Sequence, residues 1–468
     1  MSDPHPHLPT RRDMLQLGAL GLTLPGVLAM QRRAPAAANT SGGVGFGKAK
    51  RCIVLFAWGG MSHLDTFDMK PDAPANIRGQ FSEIKTSTKG VRISEHLPRL
   101  AKQTHRMAIV RSAHHNAPSH RSGAYWNLTG HEPPNLTGNW EATRKDWPCI
   151  GSMVSAARDT RKNAIRGALP GVVCLPYPMY DGGDANGQDG GFLGLTYDPV
   201  IVRPDSGKPY NGKSPDVGWI DLSLPDGVTK KRFVSRRGLL GSLGAPRDRV
   251  GTPEDVASAS RYHEQAMNML LSSTVRKAFD LDTEAPALRQ AYGDHICGQS
   301  VLMARKLTEA GVPLVTVYCA AGDLNGSKGA HFDTHGDNFN KLKRDMLPPL
   351  DRASAALLND LHDRSTLDET LVVWLTEFGR TPKINGGAGR DHYPNCYSVA
   401  FAGGGIAGGR VYGSSDRNGA FPASDACGPA DLHATIFHAL GINPKFMIND
   451  MSDRPLQICD GKALPLFG

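Results

Sequence analysis

A chain of 468 residues with 40% hydrophobic and 21% charged side chains is too apolar for a disordered protein and long enough for a large folded core. Its net charge of +8 comes from 53 Lys and Arg against 45 Asp and Glu, spread along the chain with no basic run and no aromatic interleaving. Basicity this mild and dispersed does not support a nucleic-acid-binding surface and is compatible with a small anionic substrate.

The first 38 residues read as an address. Thr10-Arg11-Arg12-Asp13-Met14-Leu15 is a twin-arginine signature, and Ala36-Ala37-Ala38 has the small residues of a cleavage site. The apolar segment between them contains Gly18, Gly21, Pro25 and Gly26, too short and glycine-rich for a membrane span of ~20 residues. The expectation is export by the twin-arginine machinery to the periplasm or cell envelope, or secretion, with no transmembrane domain in the mature chain. Residues 39–468 show no low-complexity linker and are expected to form one domain.

A strand buried on both faces is expected at Arg51–Trp58 (RCIVLFAW). It opens into Gly59-Gly60 and then Ser62, His63 and Asp65. His63 and Asp65 are ligand types for zinc or manganese. Leu97, Leu100 and Ala101 predict a helix over Ser94–His105. A second strand, Met107–Val110, runs into a polar junction with His114, His115, Ser119, His120 and Arg121. Ser122–Gly130 is expected as a short helix closed by its glycine. A helix start can hold an anion or activate a nucleophile; a connection that merely caps the helix is the plainer alternative.

From Pro134 to Val250 the chain is loop-rich. Its run DGGDANGQDGGFLG (181–194) lacks EF-hand spacing and is expected to cover substrate. Helices are expected at Thr252–Ser272 and Ala287–Ala310, the second feeding a strand at Pro313–Tyr318 in the doubly wound manner. His331, Asp333, His335 and Asp337 follow, and the i, i+2 spacing in extended chain directs Asp333 and His335 to one side. A helix at Asn340–Asp363 then leads to a buried strand, Leu371–Leu375. Beyond it come Glu377, Arg380, a glycine-rich turn, and Arg390-Asp391-His392 before a strand at Ser398–Ala402. Ligands of open α/β sheets sit outside the carboxyl ends of the strands, so Glu377, Arg380, Asp391 and His392 are expected to face one crevice. Eight cysteines without C-x-x-C spacing are expected mostly as buried small hydrophobes.

WGGMSHLDTFD (58–68), PSHRSGAYWNLTG (118–130), FDTHGDNF (332–339), TEFGRTPKINGGAGRDHYP (376–394), FAGGGIAGGRVYGSSD (401–416) and PADLHATIFHALGI (429–442), with the twin-arginine leader, resemble the DUF1501 family over nearly the whole mature length. One level up, the family is similar to the alkaline phosphatase and sulfatase superfamily. That resemblance implies a three-layer α/β sandwich, a mostly parallel sheet with helices on both faces. It implies one or two divalent ions (zinc, manganese or calcium) held by Asp333, His335, Glu377, Asp391 and His392, with His63 and Asp65 in support. Ser119, His120 or Ser122 would then be the nucleophile or its proton-transfer partner, and Arg121 or Arg380 the anion binder. The function implied is hydrolysis of a phosphate or sulfate ester, including a sulfated or phosphorylated glycan. Three departures are visible: Trp58-Gly59-Gly60 lacks the usual strand-end Asp, the nucleophile position falls near His120, and Glu377-Phe378 replaces an Asp-His pair. They support the alternative of a non-catalytic scaffold that binds a glycan or an envelope partner.

Overall fold

The computed structural model describes residues 42–468, except 139, 160–168, 206–207, 214–216, 218, 220–226, 230, 237–263 and 327–328. The leader over 1–38 and most of the helix expected at Thr252–Ser272 lie outside the described residues; 264–271 of the latter is helical.

The apolar runs of the sequence build one eight-stranded sheet. In chain order its strands are β1 (Arg51–Phe56), β2 (Met107–Ala113), β3 (Val172–Leu175), β4 (Val200–Ile201), β5 (Leu314–Tyr318), β6 (Thr370–Leu375), β7 (Tyr397–Ala402) and β8 (Arg410–Tyr412). They lie side by side as β8-β2-β7-β6-β1-β5-β3-β4. β7 runs antiparallel to both its neighbours, and the other pairs are parallel. The segment joining β6 to β7 has no helix to cross over with, so the chain can only turn back.

Side chains alternate between the faces of a strand, so β6, buried at all its positions, must be covered on both sides. The cover comes from helices α1 (His120–Thr129), α2 (Ile150–Arg158), α3 (Ile296–Ala310), α4 (Leu347–Asp363) and α5 (Pro429–Ala439). Trp374 of β6 shares a face with its register partner Leu55 and with Val317 beyond it, and donates its indole N–H to Ser354 Oγ of α4 at 2.9 Å. Leu314 is three residues from Val317 and points the other way. There a Cβ on Gly151 of α2 would lie 3.3 Å from Leu314 Cδ2. The expected layers of helix, mostly parallel sheet and helix are therefore present, and Gly43–Gly468 forms one compact unit.

Several elements differ from expectation. Ser94–His105 holds only a helical turn at Pro98–Ala101 and a 3-10 turn at Thr104–Arg106, because Arg92–Ser94 is spent in a strand pair and Asp351 of α4 caps Arg99 and Leu100 at 3.1 and 2.7 Å. Ala287–Ala310 is broken at Gly293 (φ 114°) into Pro286–Tyr292 and α3. The helix expected from Asn340 starts at Asn338 and passes through a π turn at Leu342–Met346 before α4, whose leading prolines cannot donate to the preceding turn. The loop-rich stretch also builds part of the frame, since it supplies α2, β3 and β4. The cysteines are all free and buried. Among the described residues, no helix is long and apolar enough to cross a membrane.

Candidate metal centre

Three chain segments deliver the site to the carboxyl edge of the parallel strands. β2 leads to α1, which begins at His120 with Ser119 as its N-cap. Beyond β5 the chain returns beneath β1, where Phe332 donates its N–H to Trp58 O at 3.0 Å and sets Asp333 and His335 in place. Gly59 makes that approach possible: its φ is 108°, and a Cβ there would collide with the backbone of Phe332 and Asp333. From β6 a two-residue ribbon, Gly379–Arg380, pairs antiparallel with His392–Tyr393 and aims His392 inward.

His120, Asp333, His335 and His392 converge, with one ligand atom from each lying within 4.8 Å of all the others. Asp333 Oδ1 is 3.2 Å from His120 Nε2, 3.1 Å from His335 Nε2 and 3.4 Å from His392 Nε2. Tetrahedral coordination with bonds of 2.0–2.1 Å places ligand atoms about 3.3 Å apart. Each ring is held from behind. His120 Nδ1 donates to Glu377 Oε1 at 2.7 Å, His335 Nδ1 to Asp391 Oδ1 at 2.7 Å, and His392 Nδ1 to the Pro118 carbonyl at 2.9 Å. These acceptors assign the tautomers and turn three Nε2 lone pairs onto one point. His335 Nε2 and His392 Nε2 are only 2.9 Å apart, which neutral rings tolerate only with a cation or proton between them. His120 Nε2, in a ring 3% exposed, lacks hydrogen-bond geometry to any partner despite its closeness to Asp333. The donor set thus fits a divalent ion.

Without an ion, protons carry the positive charge. Burial opposes a charged His120, but Asp333 and Glu377 outweigh it and raise its pKa. Asp333 raises that of His335. Burial lowers that of His392. Burial also pushes the Asp333 carboxyl up, yet the three histidines and Arg380 hold it well below the usual carboxylate range.

The other residues named from the sequence fall into different places. Glu377 and Asp391 stand behind His120 and His335, each against a ring Nδ1 and outside the converging group. Asp65 also lies outside that group: it is fully buried and grips Arg390 through both oxygens at 2.8 and 3.1 Å, with Ser62 and Asn338 also donating to it. His63 is buried against Gly379, its Nε2 2.8 Å from the Gly419 carbonyl. Arg380 does not face an incoming anion. It is wholly buried, and its donors are spent on Asp333 Oδ1 at 2.6 Å and on the carbonyls of Gly59, Gly60 and Arg390. Arg121 turns to Trp140 O and Asn186 Oδ1, both at 3.0 Å, tying α1 to the glycine-rich 181–194 run. Ser122 donates to the carbonyls of Asn135 and Gly138. Ser119 is half-buried, and its side chain makes no cap hydrogen bond. What sequence reasoning missed is that His120 joins the converging group, although its place at the nucleophile position marked it; Arg390 as the partner of Asp65 has no local signal.

Fold and site together define an α/β protein with a three-histidine, one-aspartate centre at the carboxyl edge of its sheet. Within that class the chain belongs to the family described as "Protein of unknown function (DUF1501)", whose model matches residues 49–466. No curated protein matches it. Among solved structures it is similar to Ps i-CgsB, at TM-score 0.40 and 11% identity over 88% of this chain and 75% of that one. It is also similar to the PsFucS1 sulfatase from Pseudoalteromonas sp., at 0.36 and 11% over 98% and 76%. A third is the lipoteichoic acid synthase LtaP from Listeria monocytogenes, at 0.34 and 11% over 91% and 80%. Overlaps this low carry no chemistry from one chain to another.

Proposed function

We propose that the chain is an exported, metal-dependent hydrolase of phosphate or sulfate esters. The observation that carries this is the convergence of three oriented histidine Nε2 atoms and one carboxylate at the crevice edge of the sheet. A donor set of three imidazoles and one carboxylate favours zinc or manganese over calcium, which prefers oxygen shells. Bound there, such an ion would supply Lewis acidity to an ester oxygen and ease deprotonation of a nearby hydroxyl or water. His120, His335, His392 and Asp333 would hold it, while Glu377 keeps the His120 proton on Nδ1. Ser119, beside His120 at the start of α1, is the hydroxyl candidate for nucleophile. The first turn of α1 offers backbone N–H groups to the ester's anionic oxygens. Tyr393, next to His392, packs on Phe421, which with His114, Asn116, Trp126 and Asn395 lines a cleft of about 640 Å³.

A screen of aryl phosphates, aryl sulfates and sulfated or phosphorylated oligosaccharides tests this reading. Turnover dependent on added zinc or manganese and abolished by His392→Ala supports it. Metal-independent turnover, or none on any ester by protein shown to hold metal, overturns it. The second reading, a binding scaffold without turnover, draws on Arg121 and Arg380 both turning their guanidinium groups to partners within the fold. Export rests on the Thr10–Leu15 signature and the Ala36–Ala38 site; a reporter fused to residues 1–40 that reached the periplasm only with an intact Arg11-Arg12 pair would support it.

A further inference from the structure

We propose that the centre takes a single divalent ion, the guanidinium of Arg380 standing as a fixed cation on Asp333 where a two-ion centre would need its second metal. This rests on the metal-centre reading of the same four residues. Two-ion centres keep their metals about 3.5–4 Å apart, so a second ion would need its own ligands within reach of Asp333. Asp333 is the one carboxylate among the converging ligands, and its Oδ1 already receives Arg380 Nη2 at 2.6 Å. Arg380 cannot swing away: it is fully buried and clamped by the Gly59, Gly60 and Arg390 carbonyls.

The remaining acids and imidazoles nearby each already hold a hydrogen-bond partner. Glu377 Oε1 accepts from the Gly59 N–H at 2.8 Å as well as from His120, and its Oε2 lies 3.3 Å from Thr376 Oγ1. Both oxygens of Asp65 are locked on Arg390. Asp391 lies behind the His335 ring, on the Nδ1 side, and also accepts from Asn385 at 3.2 Å. His331 Nδ1 accepts from the Asp333 N–H at 3.2 Å, and His63 Nε2 faces the Gly419 carbonyl. Among the described residues no second group of three such side chains converges. Gly59 and Gly60, in the turn after β1, are the residues whose carbonyls hold Arg380.

Cobalt(II) titration of the chelator-stripped protein tests the count, read by d–d absorption and, independently, by native mass spectrometry. The expected result is an absorption that saturates at one equivalent, with one ion in the mass spectrum and none in His335→Ala/His392→Ala. Saturation at two equivalents, with two bound ions lost together in that double variant, overturns the single-ion proposal and leaves the metal reading standing. No bound ion in folded wild-type protein overturns both.

Discussion

Glu377 shapes the centre from behind the His120 ring. Its carboxylate fixes the His120 tautomer and accepts the Gly59 N–H, so it couples a ligand ring to the turn that makes room for Asp333. Glu377→Gln keeps the shape and loses the charge behind His120. Loss of such an orienting partner typically weakens metal binding about 10–100-fold. Competition with a chromophoric chelator should show that drop, and an unchanged affinity would remove Glu377 from the role. Asp65 shows what local spacing hides. His63 and Asp65 follow Gly-Gly in the pattern of a ligand pair, but the charge that neutralises Asp65 arrives from Arg390, 325 positions away in sequence. Asp333, His335 and His392 were legible because ligand-type residues cluster in the polar connections that follow strands whose apolar runs are unambiguous. Asp65→Ala leaves the Arg390 guanidinium buried without its counter-ion. That should destabilise the fold by roughly 3–5 kcal/mol in urea unfolding. A loss below about 1 kcal/mol would mean the pair is solvated.

At the scale of elements, the turn after β1 is the tightest constraint. Gly59→Ala would put a methyl group into the backbone of the Phe332–Asp333 segment at a φ of 108°. A residue forced into such a conformation costs on the order of 1–3 kcal/mol, and here the segment must also retreat. The variant should therefore lose metal affinity as well as stability, whereas a surface glycine such as Gly90, with nothing near its Cβ position, should lose little affinity when replaced by alanine. Continuous apolar runs revealed β1, β5 and β6 because burial on both faces leaves no polar alternation to misread. They did not reveal the antiparallel sense of β7, which follows from the helix-free connection before it. Nor did periodicity separate one helix from two at Gly293, where a single backbone angle decides.

At the scale of the whole molecule, two buried neutral histidines tie stability to pH. Burial lowers His115 and His433 from 6.5 to about 4. His115 accepts the Ala117 N–H on Nδ1 and donates from Nε2 to the Glu377 carbonyl, which only the neutral ring can do. The unfolded chain binds these protons near 6.5 and the folded one only near 4. Their contribution is therefore whole above pH 6.5 and is lost as pH falls toward 4, by about 2 kcal/mol per ring at pH 5. His433→Gln should flatten the fall in unfolding free energy between pH 6.5 and 4.5; an identical pH profile would show that the ring is already charged in the folded protein.

The central claim is that His120, Asp333, His335 and His392 form a metal centre. Its most direct test is the metal content, by plasma mass spectrometry, of protein purified without chelator or affinity histidines. The account predicts near-stoichiometric zinc or manganese, lost in His335→Ala/His392→Ala while the circular dichroism stays that of the folded protein. Folded wild-type protein with no metal above background, and no uptake when divalent ions are added, would contradict it.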